Sequence, residues 1–216
     1  MDGITLLIVL VGIGAMAMTV WTRTPPSPRG QVVSAVATTR ASAAPAPPFS
    51  EDRNLISNSS FETDVNSDGV ADEWARLGAG AEFALEPSAR YGDLAQRISM
   101  RGVADPIENF GALQQHVTIA EEGSYIISVD YRYVLSGAPD PSRGVGITVY
   151  ALARDNSYVT NGTAADWAWP PTESWSRRSV RVKPPTGAVK LIVEFRVSVN
   201  GVLWLDGAKL EKVAGG

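Results

Sequence analysis

The chain has 216 residues, 44% of them hydrophobic and 19% charged, with no cysteine, one histidine and a formal net charge of −4. That length suits one domain of ordinary size plus further segments. The composition excludes a disulfide framework, a thiol nucleophile and a Cys-His zinc site. It leaves His116 as the sole base for any Ser-His-Asp triad, and offers no basic excess to neutralise nucleic-acid phosphates.

The first element is Ile4 to Val20, an uncharged apolar run followed by Trp21 and Arg23. A membrane span needs roughly 17–25 such residues, and Trp at its end suits the interface. Residues 1–21 therefore read as an uncleaved anchor helix. One rival is a cleaved signal peptide with Ala15-Met16-Ala17 as the cleavage site, against which stands the lack of Lys or Arg in Met1-Asp2-Gly3. Another is a type IV pilin-like start at Gly3, where Ile8 replaces the glutamate of that family. Arg23 and Arg29 favour a cytoplasmic C-terminal side by the positive-inside rule; the domain beyond favours display outside, at the cell envelope or surface. Residues 22–52, with TPPSPRG and ASAAPAPPFS, form a Pro/Ala/Ser-rich linker that buries too little apolar surface to fold and suits a semi-rigid stalk.

The third segment, 53–213, opens on an acidic loop. Asp64, Asn66, Asp68 and Asp72 stand at positions 1, 3, 5 and 9, with Gly69 at position 6. Such spacing lets oxygen donors wrap Ca²⁺ while the glycine permits the turn. Position 12 is Ala75, so the bidentate glutamate of an EF-hand is missing. The loop is similar to the short calcium loops of extracellular modules, whose affinities are weak, roughly 10⁻⁴–10⁻³ M. The alternative is an Asp/Asn-rich turn without metal.

Alternating apolar runs then predict strands near Phe83–Glu86, Ala95–Met100, Ala112–Ile119, Ser124–Val134, Gly144–Ala153, Trp175–Lys183, Val189–Val199 and Val202–Glu211. No helical periodicity intervenes, so 53–213 reads as all-β, a two-sheet sandwich. Each strand has an apolar and a polar side. The polar sides carry Gln114 and His116, Asp130 and Arg132, Thr148 and Tyr150, Glu194 and Arg196. They make one surface where their strands share a sheet. Such a surface would bind a ligand, or would be a solvated face with ion pairs such as Asp130 with Arg196.

Between these strands, 155–171 holds Tyr158, Trp167 and Trp169. In extended chain, Trp167 and Trp169 project to one side, with Pro170 and Pro171 stiffening them. Aromatic faces of this kind suit sugar rings; the alternative is an indole capping the end of the sandwich. No nucleophile elbow, Walker or dinucleotide pattern is present, and no carboxylate pair marks a glycosidase, so no enzymatic activity is expected.

Three segments in order resemble the CenC-like (family 4/9) carbohydrate-binding modules of bacterial cellulases and xylanases. They are Asn54-Leu55-Ile56-Ser57-Asn58-Ser59-Ser60-Phe61-Glu62 continuing to Trp74, then Gly123-Ser124-Tyr125, and Trp175 with the close Trp204-Leu205-Asp206-Gly207-Ala208-Lys209-Leu210-Glu211. The resemblance spans 53–213. It implies a galactose-binding-like jelly roll, a cleft on one sheet face, and a structural calcium held by Glu62 and Asp206, the alternative being that one of these carboxylates bonds backbone amides. It also implies that Phe61, Trp74, Trp175 and Trp204 pack in the core. The expected function is a non-catalytic, membrane-tethered module binding a glycan through Gln114, Asp130, Arg132, Tyr150, Tyr158, Trp167, Trp169 and Glu194. Modules of this shape also occur in phage tails, adhesins and envelopes. The alternative is therefore an assembly component of an envelope, pilus-like or virion structure that binds protein partners.

Overall fold

The computed structural model describes residues 53–103, 109–119, 123–136, 144–159 and 164–213. The expected anchor helix (1–21) and linker (22–52) lie outside the described residues. Among the described residues there is no helix long and apolar enough to cross a membrane.

Ten strands follow in chain order: β1 Ala75–Leu77, β2 Ala81–Glu86, β3 Ala95–Met100, β4 Gly111–Thr118, β5 Ser124–Leu135, β6 Val145–Leu152, β7 Ala164–Asp166, β8 Thr172–Val182, β9 Lys190–Val197 and β10 Gly201–Val213. They form two five-stranded antiparallel sheets, β1-β4-β9-β6-β7 and β2-β3-β10-β5-β8. The all-β expectation holds, and each of the eight expected strands is present with ends moved by a few residues. Strands β1 and β7 were not expected; three residues each are too short to show alternation.

The period-2 pattern explains the layering. In β9, Leu191, Val193, Phe195 and Val197 are fully buried, and in β5 Tyr125, Ile127, Val129, Tyr131 and Tyr133 are buried likewise. These two rows meet between the sheets as a β-sandwich core. At one end Phe61, Trp74 and Phe195 stack with centroids 5.2 and 5.6 Å apart, and the Trp74 indole N–H donates to the Asn58 carbonyl at 3.3 Å.

The entry segment lies along the last strand. Leu55 N donates to Leu210 O at 3.0 Å, Ala208 N to Ser59 O at 2.8 Å, and the Asn54 amide bridges Leu210 N and Ala208 O. Between Asp206 and Lys209 the β10–β5 register shifts, and Gly207 there takes φ +56°, the left-handed conformation that a bulge of this kind requires.

Candidate functional site

The pairing registers build one polar surface on the outer side of the first sheet. One row across it runs Ala75, Gln114, Glu194, Thr148, Ala165; the next runs His116, Ile192, Tyr150; a third runs Leu77, Ala112, Arg196, Gly146. Six expected residues therefore share a face: Gln114, His116, Thr148, Tyr150, Glu194 and Arg196.

Aromatic groups border this face along the β6–β7 side. Tyr158 forms an isolated bridge with Leu152, which folds the chain after β6 back so that its ring meets Tyr150 edge-on, centroids 5.7 Å apart. Tyr158 is 66% exposed. At the other end Trp167 lies on Gly146: a Cβ placed on that glycine would come within 2.7 Å of the indole. Trp167 keeps 41% of its surface exposed. Across the sheet Arg196 stacks on Phe110, its guanidinium carbon 3.6 Å from the ring centroid. Phe110 and Gly146 were missed by sequence reasoning. A glycine inside an apolar strand was the available signal for Gly146, since it marks close approach of another group.

Glu194 sits at the centre of the surface and is 6% exposed. Its Oε1 is buried without a hydrogen-bond partner. Burial raises its pKa, and the Arg196 charge offsets this only in part. The Tyr150 phenol is also raised, by burial and then by the Glu194 charge. Thr148 Oγ1 is buried and makes no well-formed hydrogen bond, although the Tyr150 phenol lies beside it. Buried polar atoms are ordinarily paired, so Glu194 Oε1 is an exception on this sheet face.

Four expectations are corrected here. First, Asp130 and Arg132 belong to β5 and lie on the opposite sheet. Asp130 pairs with Arg177 at 3.4 Å and accepts from the Tyr91 hydroxyl at 3.2 Å, rather than pairing with Arg196. Burial raises the Asp130 pKa against the pull of Arg177. Second, Arg132 stacks on Trp204 at 4.2 Å and donates to Ser88 Oγ at 2.8 Å. Third, Trp167 and Trp169 do not project together. Ala168 takes φ +60°, which turns the chain, so Trp169 enters the core at 2% exposure against Tyr131, centroids 4.7 Å apart. Trp169 is therefore unavailable as a sugar platform. Fourth, Phe61 and Trp74 are core as expected, whereas Trp175 and Trp204 are only partly buried and flank Arg132 on the outer side of the second sheet.

The candidate calcium ligands fall in two places. In the acidic loop the side chains hold their own backbone. Asp64 accepts from Asp68 N and Gly69 N, Asn66 from Asp68 N, Asp68 from Val70 N, and Asp72 from Val65 N, at 2.9–3.3 Å. Elsewhere Asp206 Oδ2 accepts from Arg90 N at 2.6 Å and Tyr91 N at 2.7 Å, and Oδ1 from Gly207 N at 2.7 Å. Glu62 accepts from Asp93 N and Leu94 N at 3.1–3.2 Å. Burial pushes the Asp206 pKa up to about 6, with the Glu62 charge adding to it and the three amides opposing. Among the described residues no three acidic or histidine side chains converge on one point.

No family model matches the chain, and no curated protein matches it. Solved structures do. The enzymatically active domain of bacteriophage CBA120 tailspike protein 4 aligns with TM-score 0.58 and 13% identity over 76% of this chain, which spans 22% of that domain. The C-terminal family 22 carbohydrate-binding module of Clostridium thermocellum xylanase 10B aligns with TM-score 0.52 and 15% identity, covering 79% of this chain and 99% of the module. The N-terminal modules of the same xylanase, complexed with xylohexaose, align with TM-score 0.52 and 15% identity, covering 74% of this chain and 29% of that one. The likeness is one of fold: this chain has the two-sheet β-sandwich of carbohydrate-binding modules.

Proposed function

We propose that this chain is a non-catalytic carbohydrate-binding module whose ligand lies on the outer face of β4, β9 and β6. The observation that carries the reading is an exposed Trp167 ring on the same sheet face as the polar row of Gln114, Glu194 and Thr148. Sugars need an aromatic plane for their C–H face and fixed polar atoms for their hydroxyls. Here Trp167, Tyr150 and Tyr158 supply planes, while Gln114, Glu194 and Thr148 supply polar atoms. Gly146 and Tyr150 stand four residues apart on one strand face, about 13 Å. The aromatic groups thus span a short oligosaccharide rather than one sugar. The order of the sequence motifs supports a CenC-like module in particular.

The hydrophobic 1–21 and the Pro-rich 22–52 support tethering to a membrane, with display at the cell envelope or surface. We also propose the 64–72 loop as a weak calcium site. Its donors are all oxygen, and each oxygen that accepts an amide keeps a second lone pair. Glu62 and Asp206, which accept five backbone amides between them, are the second candidate pair. The assembly reading draws support from the tailspike likeness, and it predicts self-association or partner binding with no glycan ligand.

The test is a glycan screen on the full chain in detergent with calcium present, followed by calorimetry on any hit. Trp167→Ala and Gln114→Ala are expected to weaken binding about tenfold or more, roughly 1.4 kcal/mol or more, with the β circular-dichroism signal unchanged. Trp169→Ala is expected to unfold the domain instead, because it empties a core site, at a cost of about 3–5 kcal/mol. Absence of any glycan ligand for a folded chain would turn the weight to assembly.

A further inference from the structure

We infer that Gly146 is the positioning residue of this surface: its lack of a side chain seats the Trp167 indole flat on the sheet as a preformed stacking plane. The inference rests on the carbohydrate-binding reading and specifies what builds its platform. Glycine inside a strand weakens it and is found where another group must approach closely. Here the approaching group is known. A Cβ on Gly146 would stand 2.6 Å from Trp167 Cε3, 2.7 Å from Cδ2 and 2.7 Å from the Asp166 carbonyl oxygen. Real contacts do not come that close, so any side chain lifts the ring and pushes β7 outward.

The seat is held from beneath as well. Trp169 N donates to Val145 O at 3.1 Å, its indole N–H donates to Asp166 Oδ2 at 3.0 Å, and its ring lies against Tyr131 in the core. The left-handed Ala168 between them sends consecutive indoles to opposite sides of the sheet. Trp169 thus works as the peg and Gly146 as the flat seat. A ring fixed before binding loses little freedom when a sugar stacks on it, which is the energetic gain of preorganisation.

The test has two arms on the full chain. In the first, nuclear Overhauser contacts are measured between the Gly146 α-protons and the Trp167 ring; they are expected in the wild type and absent in Gly146→Ala. In the second, binding of xylohexaose, cellohexaose and a galactan oligosaccharide is measured for wild type, Gly146→Ala, Trp167→Ala and the double variant. For any probe that the wild type binds, Gly146→Ala is expected to weaken binding about tenfold or more. In the Trp167→Ala background the same change is expected to cost nothing further, since both act through one ring. Should Gly146→Ala fail to fold, Trp167→Phe serves, keeping the contacts to Gly146 and part of the affinity. Missing contacts in the wild type, or additive losses in the double variant, would overturn the inference. Contacts present with no probe bound would support the seat and sink the glycan reading, so the two failures are distinguishable.

Discussion

Glu194 shows how one residue ties the surface to stability. Its carboxylate is buried on the outer side of a sheet, and burial outweighs the Arg196 charge, so its pKa in the folded chain lies above the ordinary carboxylate value. In the window between the unfolded value, about 4.3, and that raised value, the native state holds a proton that the unfolded state has lost. Stability from this group therefore falls as pH rises through the window and stays lower above it. Glu194→Gln is expected to remove that part of the slope and to raise the melting temperature at neutral pH. Thermal unfolding of both proteins from pH 4 to 8 checks this; parallel curves would show that the group is not held out of water. The residue scale is also where sequence reading met its limits. Trp167 and Trp169 differ in fate because Ala168 adopts a left-handed φ, and nothing about an alanine announces that.

At the scale of the element, alternation was a sufficient guide to the long strands and to which residues they bury. Gln115 illustrates this. It falls on the apolar side of β4 and is buried there, satisfied by the Ser57 backbone through both ends of its amide, at 2.9 and 3.0 Å. Connections were less legible, because their structure rests on distant partners. The segment between β2 and β3 is held to β10 by Asp206, which accepts the Arg90 and Tyr91 amides across 115 or more residues of sequence. The family motif flagged Asp206 as a calcium ligand, with bonding to backbone amides as the alternative, but could not say which amides these would be. The contacts predict a clear asymmetry. Asp206→Ala leaves three amide donors without an acceptor and is expected to cost about 2–3 kcal/mol. Asp206→Asn keeps one oxygen acceptor, removes a buried charge and is expected to cost less. Urea unfolding midpoints at pH 7 measure both, and equal losses would mean that the charge, not the acceptor geometry, holds the loop.

The whole molecule decides which polar faces meet, and this was the least legible part of the site. Asp130 and Glu194 looked equivalent as polar positions on alternating strands; only the strand order, β4-β9-β6 against β10-β5-β8, sends them to opposite outer surfaces. The same global wiring makes the acidic loop a test of the entire domain. Gln96, fully buried on β3, accepts from Ala71 N at 2.9 Å and donates to Gly69 O at 2.9 Å and Ala84 O at 3.1 Å. The Gly69 end of the loop packs on Phe83, where a Cβ would stand 2.7 Å from the carbonyl oxygen. A loop fastened to the core in this way does not unfold alone, so an ion that binds it stabilises the fold by mass action. With an affinity of roughly 10⁻⁴–10⁻³ M, 10 mM calcium adds about 1.4–2.7 kcal/mol, or about 3–10 °C in melting temperature for a domain of this size. Asp64→Asn and Asp68→Asn are expected to abolish the shift while leaving the fold intact, and Glu62→Gln to leave the shift in place. A shift that survives the loop variants and vanishes with Glu62→Gln would move the ion to the Glu62–Asp206 pair. The absence of any shift would identify the loop as a turn whose carboxylates serve only its own amides.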